Sequence, residues 1–311
     1  LGGLGGVQSN SANPSPSVAS SGSFSGTSSG FPSPVVFGGG KLGGLSLGNR
    51  PVGLNLEALR DNVDQPLSEL QVRREKFAFF EKHCTRIVEG VYVGGDGAAR
   101  NRATLDAHGI THVINCNAFI IPNYFEVDLE YKTLWLTDTP NEDITCVLYD
   151  CFDFIRTALA GGGRVLVHCS QGVSRSASVV ISFLMWRDGD NYENTFRLVK
   201  EKRGIANPNM GFTCQMLQWN KRRTLEIAPG GGVDRLHRVA PHSQHDPRYL
   251  VAKPLTGHSA AHLDARGAFV LQTASGKAYV WVGPKAVDPE FARRGEEFAR
   301  QLQVYEGLGG G

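Results

Sequence analysis

Apolar positions begin to recur with a readable period just after Phe77, and the pattern then alternates between strand-like and helix-like stretches. Ile87, Val88, Val91, Tyr92 and Val93 suggest a first strand or hairpin ending at Gly94-Gly95. Asp96 can cap a helix that stops at Gly109, and Thr111-His112-Val113-Ile114-Asn115 reads as the next strand. Tyr131 to Leu136 alternates as a half-buried strand does, and a helix is expected from Ile144 to Ala160. Val165-Leu166-Val167 is a short apolar run typical of a buried parallel strand, and Ala177 to Trp186 has the length of a buried helix. Two further helices follow, from Tyr192 to Lys202 and from Met210 to Arg223. Strands that alternate with helices predict an α/β fold: a mainly parallel central sheet flanked by helices, with chemistry at the carboxyl ends of its strands.

The flanks read differently. From Leu1 to Gly40 no residue is charged, and such a Gly, Ser and Pro-rich stretch buries too little surface to offset its ordering entropy. Residues 1–72 are therefore expected to be disordered or linker, with Ser15-Pro16 and Ser33-Pro34 as phosphorylation candidates. A first domain is expected over residues 73–225 and a second over 226–311. In the second, Leu236 to Val239, Leu263 to Leu271 and Lys277 to Gly283 read as strands, the last two as a hairpin, followed by a charged helix from Pro289 to about Val304.

Composition narrows the function class. The chain has 311 residues, room for about two domains, and a formal charge of +2, too balanced to argue for nucleic acid or a membrane surface as partner. Six cysteines without a C-x-x-C pair, and no signal sequence, suggest reduced thiols in a cytoplasmic protein, with the nucleus as a second compartment, and no structural zinc. No apolar run is long enough to span a bilayer. A first residue of Leu and Gly-rich ends suggest a fragment.

The chemistry concentrates between Arg164 and Ser176, where the buried strand runs into Cys169-Ser170-Gln171-Gly172-Val173-Ser174-Arg175-Ser176 and then into a helix. A helix N-terminus exposes unpaired N–H groups, so a loop of small residues there (Ser170, Gln171, Gly172, Val173, Ser174) can wrap its amides around a dianion. A thiol at its base feels the same field, and Cys169 is expected to be a thiolate nucleophile. Arg175 can hold two phosphoryl oxygens bidentately, and Ser176 can donate to the sulfur. His168 is expected to fix the loop. Attack on a phosphate monoester also needs an acid for the leaving oxygen, and Asp138, between a strand and the turn-rich Thr139-Pro140-Asn141, is the candidate. Glu142 and Asp143 are competitors better suited to capping the following helix.

Cys169 to Arg175 is the C-x5-R signature of the protein tyrosine phosphatases, and His168-Cys169-x-x-Gly172-x-x-Arg175-Ser176 resembles the dual-specificity branch over residues 77–224. The resemblance implies a phosphocysteine intermediate on Cys169, Asp138 as general acid, no cofactor and no metal. It also implies that Asn207-Pro208-Asn209-x-Gly211-Phe212 packs on the phosphate loop, with Asn207 positioning it. Uncharged Gln171, Val173 and Ser174 stand where phosphoinositide phosphatases place lysines, which points to phosphoprotein. Residues 234–306 resemble a single gelsolin-like repeat, for which a protein partner is expected; calcium through Glu290 is disfavoured because Arg266-Gly267 stands where other ligands would be. That pairing, with Trp135-Leu136-x-Asp138-x-Pro140, Leu184-Met185-Trp186-Arg187 and Ala240-Pro241-His242-Ser243, resembles plant and algal MAP-kinase phosphatases, which implies a phosphorylated MAP kinase as substrate. A slingshot-like phosphocofilin phosphatase and a catalytically weak phosphoprotein-binding module remain the alternatives. Lys221-Arg222-Arg223-Thr224-Leu225-Glu226-Ile227 offers basic residues before spaced aliphatics, as a kinase-docking segment would, or else a solvated helix end. Cys116 is open as either a core residue or a disulfide partner for Cys169, and the histidines from His237 to His262 match no zinc spacing.

Overall fold

The computed structural model describes residues 68–224 and 233–307. The expected disorder of residues 1–72 lies mostly outside these, as do Ser15, Ser33, Leu225 and Ile227; residues 68–72, however, enter a helix, α1 (Glu69–Lys82). Ser68 caps it with Gln71 in a reciprocal pair of hydrogen bonds, a capping box that holds a helix with no buried residue. Its apolar residues Leu70, Val72 and Phe79 are exposed and form no buried face, so residues 69–72 carry no apolar period that would mark a helix.

The first sheet has the order β1-β2-β5-β3-β4, comprising β1 (Thr85–Val88), β2 (Val91–Gly94), β3 (His112–Asn115), β4 (Glu130–Thr133) and β5 (Val165–His168). The first two form the antiparallel hairpin and all other pairs are parallel. Because side chains alternate across a strand, each strand feeds two cores. Val91, Val93, Ile114, Val165 and Val167 face α4 (Thr145–Ala160), α5 (Arg175–Asp188) and α7 (Met210–Thr224). Tyr92, Val113 and Leu166 join Ala98 of α2 (Asp96–Ala99) and Leu105 of α3 (Arg102–His108) in the other. The single helix expected from Asp96 to Gly109 is thus two, because Asn101 accepts from the Thr104 amide and starts a new one. α6 (Tyr192–Lys202) stands as expected. The strand expected to run to Leu136 stops at Thr133; the backbone beyond it is drawn to other partners, described below.

The C-terminal residues form an antiparallel sheet, β7-β6-β8-β9, under α8 (Pro289–Glu306), with β6 (Arg235–Ser243), β7 (Asp246–Pro254), β8 (Ala268–Gln272) and β9 (Ala278–Val282). β7 was not expected; it carries Pro247 and Pro254, which it tolerates as an edge strand. β8 starts later than expected because Asp264 to Gly267 forms a turn.

This sheet does not stand off from the first sheet and its helices. Val251, Ala252, Val270, Phe298, Leu302 and Tyr305 belong to the same buried cluster as Phe152, Val167 and Phe183. The Tyr305 ring lies 5.1 Å from Tyr149, 5.3 Å from Phe152 and 5.0 Å from Trp186, centre to centre. Buried Asp150 of α4 gathers Arg294 at 2.8 Å, the Tyr249 hydroxyl at 2.7 Å, Gln301 at 2.8 Å and Lys132 at 3.5 Å. Burial opposes the charge, but Lys132 and Arg294 outweigh it and hold the carboxyl below its usual range. The described residues accordingly belong to one compact unit. Among them no helix is long and apolar enough to cross a membrane.

Replacing Tyr305 with Ala removes an aromatic side chain from a full core and is expected to cost about 3–5 kcal/mol. Urea unfolding should show one cooperative transition at lower midpoint, whereas an independent C-terminal bead would unfold in a separate step. Acid should also destabilise the protein in a defined window. Burial holds His168, His237 and His242 neutral, each pushed down to about 4, while in the unfolded chain they take up protons near 6.5. The unfolded state therefore binds more protons between those values, so the melting temperature should fall as pH drops from 6.5 to 4, and less steeply in His237→Gln.

Candidate active site

Gly94, His168 and Asn115 sit side by side at the carboxyl ends of three parallel strands, and the chain leaves β5 there as the loop from Cys169 to Ser174. Successive carbonyls of this loop are all drawn outward. The Asp96 amide donates to Ser170 O (2.9 Å), Arg203 to Gln171 O (2.9 Å) and Gly172 O (2.7 Å), the Asn207 amide to Val173 O (2.8 Å), and the Ser178 amide to Ser174 O (2.8 Å). With these carbonyls committed outside, the N–H groups of the same peptides are left to the other side, and those of Gln171 to Ser174 donate to no protein oxygen among the described residues. This is an anion cradle at the start of α5.

Arg203 is the member of this site that inspection of the sequence missed. It is fully buried with no carboxylate partner, and it also donates to Phe80 O (3.0 Å) and Thr85 Oγ1 (2.9 Å), tying the loop to the first hairpin and α1. Burial lowers its pKa to about 10, which still leaves it charged at neutral pH. Gly172 has φ +69°, and a Cβ there would lie 2.3 Å from Arg203 Nη2 and 2.4 Å from Gly94 O, so only glycine lets the loop and the arginine meet.

Cys169 lies at the base of the cradle, 3.3 Å from Ser176 Oγ. Burial pushes its thiol up, but the Ser176 hydroxyl, the Arg175 guanidinium and the amides of Ser176 and Gly172 outweigh burial and bring it below the ordinary thiol range. Cys116, whose amide bonds His168 O, is buried without such donors, and burial pushes it well up. The two thiols thus shift in opposite directions. Neither forms a disulfide. His168 is buried and neutral, its Nδ1 without a hydrogen-bond partner.

Arg175 is oriented by Leu136 O (3.0 Å) and Ser170 Oγ (3.2 Å), the latter itself held by Asn117 Nδ2 at 2.8 Å. Its Nε is buried and unbonded, 3.6 Å from Asp138 Oδ2. Asp138 accepts from Ser174 Oγ (2.7 Å) and Asn209 Nδ2 (2.9 Å), which brings the expected acid over the loop. The strand Tyr131–Leu136 ends early for this reason: the Leu136 carbonyl goes to Arg175, not to a ladder. Glu142 accepts the Thr137 amide and Asp143 the Thr145 amide, so both competitors are committed to backbone. Asn207 acts through its backbone N–H, while Asn209, which also takes the Phe212 amide, is the side chain that contacts the acid. The close approach of α7 explains Gly211, where a Cβ would lie 2.0 Å from Pro140 O.

Other expectations are placed elsewhere. Arg222 pairs with Glu306 (3.5 Å), and Arg223 donates to Met185 O (2.8 Å) and lies over Trp219, so two of the three basic residues of the expected docking segment are used inside the fold. Glu290 pairs with Arg293 at 2.7 Å and Asp264 with Arg266 at 3.0 Å. Among the described residues no three His, Cys, Asp or Glu side chains converge as metal ligands do.

Together these features bring a thiol below its ordinary range, a cradle of inward amides, a guanidinium and a carboxyl group to one loop, an arrangement suited to an anion. The sequence model of the dual specificity phosphatase catalytic domain matches residues 91–222. Protein-tyrosine-phosphatase MKP1 of Arabidopsis thaliana is 46% identical over 231 residues, covering 74% of this chain and 29% of that protein, a stretch longer than the catalytic domain. Dual specificity protein phosphatase 1B of the same plant is 35% identical over 140 residues, 45% of this chain and 83% of that one. Among solved structures, the human tyrosine phosphatase-like serine/threonine/tyrosine-interacting protein is 34% identical, with a TM-score of 0.43, over 45% of this chain and 97% of its own. The chain belongs to the dual-specificity phosphatase family. It spans less than a third of the length of the Arabidopsis MKP1 protein.

Two substitutions probe the site's electrostatics. Arg203→Lys keeps the charge but loses the fork that holds two loop carbonyls, and should weaken inhibition by inorganic vanadate by about tenfold or more. Ser176→Ala removes a donor to the sulfur, so the pH midpoint for iodoacetamide alkylation of Cys169 should move up, with exposed Cys214 as the internal alkylation control.

Proposed function

We propose that the chain hydrolyses phosphotyrosine and phosphothreonine or phosphoserine in protein substrates, and that its physiological substrate is a phosphorylated MAP kinase. One observation carries the catalytic reading: a buried thiol made acidic by Ser176, Arg175 and two loop amides, beneath unpaired N–H groups. The Cys169 thiolate attacks phosphorus, forming the S–P bond as the ester P–O bond breaks. Arg175 and the loop amides hold the equatorial oxygens through the transition state. Asp138 gives its proton to the departing oxygen and, as carboxylate, activates the water that releases inorganic phosphate from the phosphocysteine; Ser176 stabilises the sulfur as it leaves.

The substrate class is supported by the uncharged loop side chains of Gln171, Val173 and Ser174, and by the likeness to a plant protein-tyrosine-phosphatase that runs on past the catalytic domain. No cofactor or metal enters this mechanism. A thiolate nucleophile requires a reducing compartment, which supports the cytoplasm and nucleus as location. For the C-terminal unit, its gelsolin-like character and a protein partner are part of the same proposal, supported by its sequence.

Rapid quenching after mixing with 32P-labelled phosphopeptide should trap label on Cys169, and none in Cys169→Ser. Asp138→Asn should lower turnover of phosphotyrosine by about 10²–10³-fold while leaving vanadate binding within about twofold. Full activity on doubly phosphorylated MAP kinase with little on phosphocofilin supports the substrate assignment; the reverse order favours a slingshot-like enzyme, and binding without turnover a recognition module.

A further inference from the structure

The segment that carries Asp138 is gripped from the C-terminal sheet. One backbone group from each of three consecutive residues of its stem, Trp135 to Thr137, bonds to a side chain. The Leu136 carbonyl accepts from Arg175, the Thr137 amide donates to Glu142, and the Trp135 amide donates to Nε2 of His242 at 3.2 Å. The first two partners belong to the catalytic domain, but His242 belongs to β6, more than a hundred residues further along the chain.

His242 is itself well held. It is 8% exposed, its ring meets Tyr249 edge-on at 5.3 Å, and its carbonyl accepts from Lys253 Nζ at 3.2 Å. Tyr249 in turn donates to Asp150, the buried node that joins α4, β4, β7 and α8. Burial, aided by Lys253 and Lys132, keeps the imidazole neutral, so Nε2 retains the lone pair that the amide needs. A continuous path of packed and bonded groups therefore runs from the C-terminal unit to the backbone three residues before Asp138.

We infer that His242 is a positioning residue: by accepting the Trp135 amide it sets the backbone that presents Asp138, so that the C-terminal sheet forms part of the catalytic apparatus. This rests on the reading of Asp138 as the general acid. Proton donation to a leaving oxygen is steep in geometry, whereas thiolate attack depends on the Cys169 loop, which His242 does not touch and which meets this segment where Leu136 O orients Arg175. Loss of the His242 bond should therefore be felt selectively, by substrates whose leaving group needs a proton.

The test compares His242→Gln with His242→Asn in the whole chain. The glutamine amide reaches the place of Nε2 and preserves an acceptor; the asparagine amide reaches only as far as Nδ1. Both are polar and similar in folding demand, and equal melting temperatures can be checked first. Turnover is measured on phenyl phosphate, a poor leaving group, and on a difluoromethylumbelliferyl phosphate, a good one. His242→Gln should stay within about twofold of wild type on both. His242→Asn should lose about tenfold in kcat on phenyl phosphate and less than about twofold on the activated ester, and its loss should vanish in an Asp138→Asn background. Amide exchange of the 134–142 segment should be faster in His242→Asn than in His242→Gln. Equal losses in the two variants, losses indifferent to the leaving group, or a loss that persists without the Asp138 carboxyl would each overturn the inference. A wild-type protein that forms no phosphocysteine instead overturns the reading of the site itself, and this inference with it.

Discussion

Everything at this site depends on which way five peptide groups point. A peptide has a donor on one side and an acceptor on the other, so pulling the carbonyls of Ser170 to Ser174 outward leaves the amides facing in. The pull comes from scattered donors, of which the largest is Arg203, a buried guanidinium with no acidic partner. Its fork geometry fits two neighbouring carbonyls and the walls around them at once, which a lysine point charge does not do. The same arrangement keeps a second positive charge behind the loop, adding to the field that lowers the Cys169 thiol.

The C-terminal sheet extends this logic of distant support. An aromatic cluster of Tyr149, Phe152, Trp186 and Tyr305 and the charged node at Asp150 make α4 a shared wall between the two sheets. Asp150 is tolerable in the interior because two cations and two neutral donors surround it; a buried carboxylate lacking them would cost several kcal/mol. Such a node resists sliding, since any shift leaves charges unpaired. The His242 bond to the stem of the Asp138 segment is thus anchored on rigid ground.

How much was readable beforehand differs by element, for physical reasons. Val165-Leu166-Val167, the helices from Tyr192 and Met210, and the loop from Cys169 to Ser176 were legible because local period and spacing carry them. The start of helix α1 was not, because a capping box marks it and no buried apolar face does. The strand from Tyr131 was read too long because its alternation continues while its hydrogen bonds go elsewhere. Strand β7 was not expected; its Pro247 and Pro254 are harmless at a sheet edge. The structure brings the expected Cys169, Arg175, Ser176 and Asp138 to one loop, and adds Arg203 and Asn209, which were not among the candidate residues. The one available signal for Asn209 was its position in Asn207-Pro208-Asn209, from which Asn207 was chosen instead.

The amino-acid order by itself determined the α/β alternation, the thiol and the guanidinium six residues apart on one loop, and the helix that begins beneath them, since each depends on neighbours in the chain. Only the tertiary structure decided that Arg203 turns the loop inside out, that Asn209 and Ser174 converge on Asp138, and that His242 reaches the Trp135 amide. These contacts join residues some 30 to 110 positions apart. No local pattern encodes them, because a hydrogen-bonding side chain carries no mark of its partner until packing brings the two together.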